Sequence, residues 1–455
     1  MAGSRKSRPA DPPVAVRASL ARHRIESGRV CVALSGGVDS VVLLHVLHRI
    51  CRDRPIALSA CHVDHGLSPD AGHWADFCAA LCAHLGVPCT IRRVDVRPDG
   101  DGLEAAARAV RLAALAAEPA DVLAFAHHVD DQAETVLYRL LRGCGLRGAG
   151  GMAACDARPG AAVVLRPLLG LRRADIEAWA RGQGLSWVED ESNRCTTFDR
   201  NHIRNVLMPA IQARFPAATE RLAAAAERFR EGDRLLEQLA AIDWRALAGD
   251  EQSASSAALG DLDPARLCNL LRWRIHALGR RSPAHARLAE SVRQLAGTAA
   301  GPSLRVDLGD TELCRYRGRF WLQPVLPACE QASVPWHGED RLPWGGGEIR
   351  FDRALGRGLS PRILGDRITI SVRADGDRLR PRADGPSRAF KALAQAAGVP
   401  PWMRARLPVL RLAGRPCWVA ELGVDASIAC AAGEIGLVPS WRPPAGVLIR
   451  LRGIP

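Results

Sequence analysis

The sequence predicts an α/β protein in which a parallel-sheet first domain precedes a helical domain and a small α+β domain. Three observations lead there. From about residue 30, short β-branched runs alternate with stretches of helix length. Past Phe215-Pro216 the alternation stops, and a long Ala/Leu/Glu/Arg helix takes over. The last segment, Asp366 to Pro455, is basic, with 14 Lys/Arg against 7 Asp/Glu.

Residues 1–24 read as a basic flexible tail, because Asp11 and two prolines interrupt the apolar stretch that an export signal needs. The runs "VCVAL", "IALSACHV", "CTIRRVDV", "VLAFAHH" and "AVVLRPL" read as strands, and 38–51, 71–85, 103–117, 130–141 and 172–183 as helices. Strand-helix alternation of this kind builds a Rossmann-like parallel sheet over residues 25–216, with ligands at the strand carboxyl ends. Residues 217–330 read as a helical substrate-contacting domain. The Gly- and Pro-rich stretch 331–365 reads as a connector containing a strand pair, and 366–455 as a basic binding module.

Composition narrows the class. With 47% hydrophobic and 24% charged residues, the 455-residue chain is neither fibrous nor disordered. Its longest apolar runs, such as "VVLLHVL", fall short of the roughly 20 residues of a membrane span. Fourteen cysteines without a Cys-x-x-Cys pair suit reduced thiols, so a soluble cytoplasmic protein is expected. Net charge of +13 favours an anionic partner such as nucleic acid. Only Lys6 and Lys391 are lysine, a bias that weakens any argument from arginine richness alone.

"LSGGVDSVVLLHVL" carries the first chemistry. Ser35-Gly36-Gly37-Val38-Asp39-Ser40 joins the first strand to the first helix. Free N–H groups and the positive end of the helix dipole attract phosphate there, and glycines let it approach the main chain. The Walker lysine is missing and Asp39 stands in the loop. An acid beside phosphate implies magnesium, which takes one or two carboxylates plus phosphate oxygens.

"HHVDDQAETVLYRLLRGCG" sets Asp130, Asp131 and Glu134 at the start of a helix, with Asp131 and Glu134 on one face. Acids in a first turn also complement the dipole, but beside a nucleotide loop they suggest a cation or amine site. In "LEAAARAVRLAAL", Glu104 and Arg108 have salt-bridge spacing, whereas Arg111 lacks an obvious partner and suits an anion. "RGCGLRGAGG" offers Arg142 and Arg147 in a flexible basic loop. "WVEDESNRCTTFDRNHIRN" gathers Arg194, Arg200, His202 and Arg204.

The Ser-Gly-Gly-x-Asp-Ser loop resembles that of PP-loop ATP pyrophosphatases, which split ATP between its α- and β-phosphates. "SGGVDS", "HVDHGL", "LEAAARAVR", "HHVDDQAET", "LLRGCGLRG", "RPLL" and "EDESNRCTTFDRNHIR" follow the order seen in the tRNA-isoleucine lysidine synthetase family, and "RADGDRLRP" and "RAFKALAQAAGVPPWMRARLPVL" resemble its C-terminal tRNA-binding domain. The resemblance covers about three quarters of the chain and is weakest in the middle.

The resemblance implies a ligase. ATP adenylates C2 of the wobble cytidine in a CAU-anticodon tRNA-isoleucine, and the side-chain amine of free lysine displaces AMP. Ser35 to Ser40 would then hold ATP, with Asp39 in the essential acidic place, and Asp131 and Glu134 would surround lysine and metal. Asp39 and Asp131 are the candidate magnesium ligands. Arg111 or Arg108, with Arg200 or Arg204, would face cytidine and AMP. Arg142 is a further substrate-contacting candidate, and Lys391 a phosphate contact. A tRNA thiolase of the same superfamily and a non-catalytic RNA-binding protein are the alternatives. Free lysine with a pKa near 10.4 is neutral only about once in 2,500 at pH 7, so Asp131, Glu134 or the phosphates must take its proton. Whether the chain acts as a monomer or a homodimer stays open.

Overall fold

A computed structural model describes residues 11–66, 68–97, 103–157, 160–189, 199–297, 303–326, 333–362 and 368–449. These fall into two compact units that part between Arg234 and Leu235.

The first unit runs α1 (Pro12–Arg22), β1 (Gly28–Ala33), α2 (Val38–Cys51), β2 (Ile56–Asp64), α3 (Ala71–Leu85), β3 (Cys89–Arg93), α4 (Leu103–Ala116), β4 (Val122–Ala124), α5 (Val129–Leu141), α6 (Leu146–Ala149), β5 (Cys155–Asp156), β6 (Val163–Leu165) and α7 (Arg173–Gly182). Strand order is β3-β2-β1-β4-β6-β5, parallel except where β5 meets β6. The chain winds outward from β1 to β3, then returns to the other side of β1 at β4. That reversal opens a crevice beyond the carboxyl ends of β1 and β4.

Both sheet faces are covered, which is why β1 is apolar without alternation. Val30 and Val32 pack with Val16 of α1, Leu44 of α2, Cys78 of α3 and Ile176 of α7. Cys31 and Ala33 pack on the opposite face with Leu115 of α4 and Phe125. The five expected helices of this unit start and stop within one residue of their expected bounds.

The expected flexible tail fails where it can be tested. Residues Pro12–Arg22 form α1, whose Val16 and Leu20 are fully buried. Proline in a first helical turn costs little, because the N–H there has no intrahelical acceptor anyway. Residues 1–10 lie outside the described residues.

Beyond α7 come α8 (Asp199–His202), a π-helical turn (Ile203–Leu207), α9 (Met208–Arg214) and the long α10 (Ala218–Ala246), which passes into the second unit. There β7 (Ser253–Ser255), α11 (Pro264–Ala277), α12 (His285–Ala296), β8 (Ser303–Asp307), β9 (Thr311–Tyr316) and β10 (Arg319–Pro324) follow. The strands form an antiparallel sheet in the order β7-β10-β9-β8. Trp244, Leu271, Leu288, Leu313 and Phe320 share its core with the helices. The expectation of a helical middle domain is therefore corrected to a mixed one. Arg317 and Gly318, at φ 47° and 73°, form the two-residue turn between β9 and β10. An arginine at positive φ gives no turn signal in the sequence.

The strand pair expected within 331–365 is present, but the connector reading is corrected, because its strands belong to the C-terminal core. β11 (Val334–Pro335), β12 (Arg341–Trp344) and β13 (Gly347–Leu355) are strands, and Gly345-Gly346, at φ 57° and 80°, turn the hairpin from β12 to β13. Later come β14 (Ile368–Ser371), β15 (Arg378–Leu379), β16 (Arg388–Ala389), α13 (Phe390–Ala396), α14 (Pro401–Arg404), β17 (Val409–Leu412), β18 (Arg415–Val419), β19 (Gly423–Val424) and β20 (Ile435–Arg442). β20 pairs along the whole of β13 except Gly347. Trp344, Ile349 and Phe351 are buried with Ile370, Leu410 and Trp418, so the C-terminal core begins well before residue 366. No helix among the described residues is long and apolar enough to cross a membrane.

Candidate active site

The crevice receives one loop from β1 and one from β4. After β1 the chain turns at Gly36, whose φ is 88°. A Cβ there would lie 2.7 Å from Val188 Cγ2 and 3.3 Å from Cys78 Sγ, so both conformation and space demand glycine. Ser40 donates its hydroxyl to Gly37 O at 2.9 Å and accepts from Ser35 N at 3.2 Å. It is buried, and it shapes the loop instead of offering a free donor to a ligand. Gly37 stands at the N-cap of α2 and offers no side-chain cap to the first-turn N–H groups of that helix.

Asp39 lies in that first turn. Its Oδ1 is buried without a partner, and its Oδ2 is 3.7 Å from His128 Nε2. Burial raises the Asp39 pKa, against the pull of His128 and Arg173. A carboxylate in this state is short of a cation.

His128 begins the second loop's helix. It caps α5 by accepting from Asp131 N at 3.3 Å, while its own N–H donates to Asp131 Oδ2 at 3.1 Å. With Nδ1 accepting, the neutral ring carries its proton on Nε2, which faces Asp39 and Asp131 Oδ2 at 3.3 Å. Asp130 Oδ2 stands 3.5 Å from Nδ1. Burial opposes charge on the ring, but the three carboxylates outweigh it and the His128 pKa is raised. Sequence reasoning missed this residue. Its signal is a histidine where helices usually start with Ser, Thr, Asp or Asn.

Asp131 and Glu134 are brought together as their spacing predicts, and a guanidinium already sits on them. Arg204 donates from Nε to Glu134 Oε1 at 2.8 Å, and from Nη2 to Glu134 Oε2 at 2.8 Å and Asp131 Oδ1 at 2.7 Å. Arg200 stands 3.8 Å from Asp131 and 4.0 Å from Glu134. Burial works against charge at Asp131, but His128, His127, Arg204 and Arg200 hold its pKa low. Burial also works against Arg204, whose pKa is nonetheless raised by its Glu134 hydrogen bonds and by the charges of Glu134 and Asp131. Arg204 lies in the π-helical turn, where the extra residue re-aims side chains relative to an α-helix.

The other arginines divide. Arg111 is half-buried with no carboxylate partner among the described residues, and burial and the Arg200 charge lower its pKa. Arg108 is exposed and lies close enough to His127 and Arg166 to act on both electrostatically. Burial pushes His127 down to about 3. Arg142 is at the far end of α5, over the Tyr138 ring at 5.4 Å and bonded to its hydroxyl at 2.7 Å, and is not part of this constellation. Lys391 is exposed in the first turn of α13, in the second unit. Arg194 lies outside the described residues.

The basic loop after α5 is not flexible as expected. Gln132 donates to Met152 O at 2.9 Å and accepts from Met152 N at 2.7 Å, and Arg139 donates to Gly148 O and Gly151 O at 3.0 and 2.9 Å. Arg230 of α10 adds a bond to Met152 O at 2.9 Å. Side chains thus satisfy carbonyls that no strand or helix reaches.

This geometry can be set beside known proteins. Family models match as a PP-loop domain over residues 14–211, a TilS substrate binding domain over 255–321 and a TilS substrate C-terminal domain over 368–441. The tRNA(Ile)-lysidine synthase of Azoarcus sp. (strain BH72) is 49% identical over 422 residues, 92% of each chain. That of Aromatoleum aromaticum is 46% identical over 417 residues, 91% of this chain and 97% of its own. The chain belongs to the tRNA(Ile)-lysidine synthase family. Lysidine synthase membership makes it a tRNA-modifying enzyme with a PP-loop for ATP. The substrate binding match falls on the mixed middle region and the C-terminal match on β14 to β20. A solved structure of the U34-tRNA thiolase NcsA from Methanococcus maripaludis is 20% identical with a TM-score of 0.43, covering 48% of this chain and 78% of that one, too distant to bear on function.

Proposed function

We propose that this enzyme ligates free lysine to C2 of the wobble cytidine of CAU-anticodon tRNA-isoleucine in the cytoplasm, through an adenylated intermediate, releasing AMP and pyrophosphate. One observation carries the reading. An uncapped helix N-terminus suited to phosphate stands across His128 from a buried acidic pair that already holds a cation. An anion cradle beside an ammonium seat is what amine attack on an adenylate requires.

Asp131, held ionised by its cationic neighbours, would serve as counter-charge to the lysine ammonium. The proton lost before attack would then pass to Glu134 or to phosphate oxygens. Arg111 would meet the AMP phosphate or the cytidine. Magnesium fits the orphaned oxygen of Asp39, with Asp131 the next carboxylate round His128. Among the described residues no three His, Cys, Asp or Glu side chains could enclose a metal by themselves, so such an ion would complete its shell with phosphate and water. Its contribution when bound is to neutralise charge on the polyphosphate. The basic C-terminal segment, Lys391 included, would contact the tRNA backbone.

The test is pyrophosphate release by the full chain. Turnover should need ATP and CAU-anticodon tRNA, with lysine incorporated into the product. Turnover indifferent to lysine, or lysine incorporated at an unchanged cytidine count, would overturn the reading.

A further inference from the structure

The antiparallel sheet β7-β10-β9-β8 has a second face. Strand alternation sends Leu313, Phe320 and Leu322 into the core shared with α11 and α12, and Cys314, Tyr316 and Trp321 to the opposite side. Those three are nonetheless 0%, 6% and 1% exposed. Trp402 of α14 packs over them, with Leu448 beside it. The Trp402 ring centroid lies 5.9 Å from that of Trp321 and 6.5 Å from that of Tyr316, the second pair edge to face.

Three arginines close the same seam. Arg404 donates from Nη2 to Tyr316 Oη at 3.1 Å and from Nε to Val399 O at 3.0 Å. Arg317, in the turn between β9 and β10, donates to Gln395 O of α13, and Arg406 donates to Leu326 O at 3.2 Å. In the sequence, Trp402, Arg404 and Arg406 stand together in "VPPWMRARLP", and an aromatic ring among basic residues suggests an RNA contact. In the fold these side chains are half-buried against the sheet, whereas Arg380, Arg382, Arg388 and Lys391 are exposed. We propose that Trp402 and Arg404 are positioning residues, which hold the C-terminal module on the middle sheet so that both meet one tRNA at a fixed spacing. The inference rests on the proposed contact of the C-terminal segment with the tRNA backbone and goes beyond it.

A fixed spacing matters for affinity. Two modules that engage one ligand together bind it about 10²- to 10⁴-fold more tightly than either alone, provided their separation suits the ligand. A loosened seam keeps the chain connection and loses part of that factor. Buried aromatic contact supplies the area of the seam, and the charge-assisted bond from Arg404 to Tyr316 supplies its direction. The Trp402 N–H has no partner among the described residues, so the seam uses the ring and not the donor.

The experiment measures, on the full-length protein by filter binding, the Kd of CAU-anticodon tRNA-isoleucine and the Kd of its anticodon stem-loop alone. Trp402→Ala should weaken binding of the whole tRNA at least about 10-fold, and Tyr316→Phe at least about threefold. Neither should move the stem-loop Kd beyond about twofold, because one arm of the tRNA cannot bridge two modules. Tyr316→Phe leaves every cation of the C-terminal module in place, and Trp402→Phe, which keeps a stacking ring, should stay within about twofold of the wild type. Arg404→Met should weaken the whole tRNA about threefold, lose nothing more when Tyr316→Phe is added, and leave the slope of log Kd against log salt unchanged. A slope lower by about one marks Arg404 as a phosphate contact and overturns the inference. Unchanged affinity for the whole tRNA in Trp402→Ala, or an equal loss for tRNA and stem-loop, also overturns it. A wild type that binds the whole tRNA no more tightly than the stem-loop overturns the proposed C-terminal contact, and the inference with it. Turnover indifferent to lysine, with these shifts in Kd intact, overturns the ligation reading alone.

Discussion

Replacing Arg204 with methionine removes a guanidinium that hydrogen-bonds both Glu134 and Asp131, and the size of the effect follows from burial. The acidic side chains are 5% and 11% exposed, and that of Arg204 is 24% exposed. Breaking a buried ion pair from one side costs about 3–5 kcal/mol, because the remaining charge is left desolvated. Arg200, within 4.0 Å of both acids, takes up part of the charge, so the lower end applies. A loss of about 3 kcal/mol is about 100-fold in an opening equilibrium. Amide hydrogen exchange of α5 in the full-length protein reads that opening locally, without requiring the two units to unfold together. Protection of α5 should fall about 100-fold in Arg204→Met and recover by at least about 10-fold when Glu134→Gln is added, since a neutral amide needs no counter-ion. Unchanged protection in the single variant, or no recovery in the double one, would refute the reasoning.

Three further outcomes are expected. Gly36→Ala forces a Cβ into a positive-φ turn and into Val188, so it should cost about 1–3 kcal/mol and abolish ATP-dependent pyrophosphate release; a functional variant would show that the loop rearranges freely. Asp39→Asn should abolish pyrophosphate release while tRNA affinity by filter binding stays within about twofold, and a large fall in affinity would remove Asp39 from the nucleotide side. In the C-terminal core, Arg411 bonds both oxygens of Asp377 at 2.8 and 2.7 Å. Burial opposes charge on Asp377, but the Arg411 hydrogen bonds and charge hold its pKa below the usual value. A depressed carboxyl pKa contributes stability above about pH 3.9 that is lost as pH falls through the folded value. Denaturation of the wild type between pH 5 and 2 should therefore show a decline that Arg411→Met lacks, and parallel curves would count against the ion pair.

The catalytic unit was legible because its signals are local. Apolar runs of strand length bounded by helices fix the parallel sheet, and the glycines and Asp39 sit where a strand-to-helix turn puts them. Asp131 and Glu134 share a face by helical spacing alone. What escaped was set by distant partners. Arg204 reaches the acids only because a π-helical turn re-aims it, and His128 matters through carboxylates from another loop. The hairpin at Arg317-Gly318 carries no turn signature at its first residue, so the middle sheet was hidden behind its helices. Gly345-Gly346 suits a strand pair and a connector alike, because a tight hairpin and a flexible connector use the same residues. The prolines that open α1 suggest disorder because proline at a helix start and proline in a loop read alike.

The order of the parallel sheet has a consequence for how this chemistry can vary. β1 and β4 are hydrogen-bonded neighbours, Val30 beside Val122 and Val32 beside Ala124, and neighbouring strands lie about 4.8 Å apart whatever side chains they bear. The spacing between the start of α2 and the Asp131–Glu134 pair is thus set largely by the main chain. Under the proposed ligation, side-chain changes on α5 would alter the amine site but leave its reach to an adenylate as the backbone sets it.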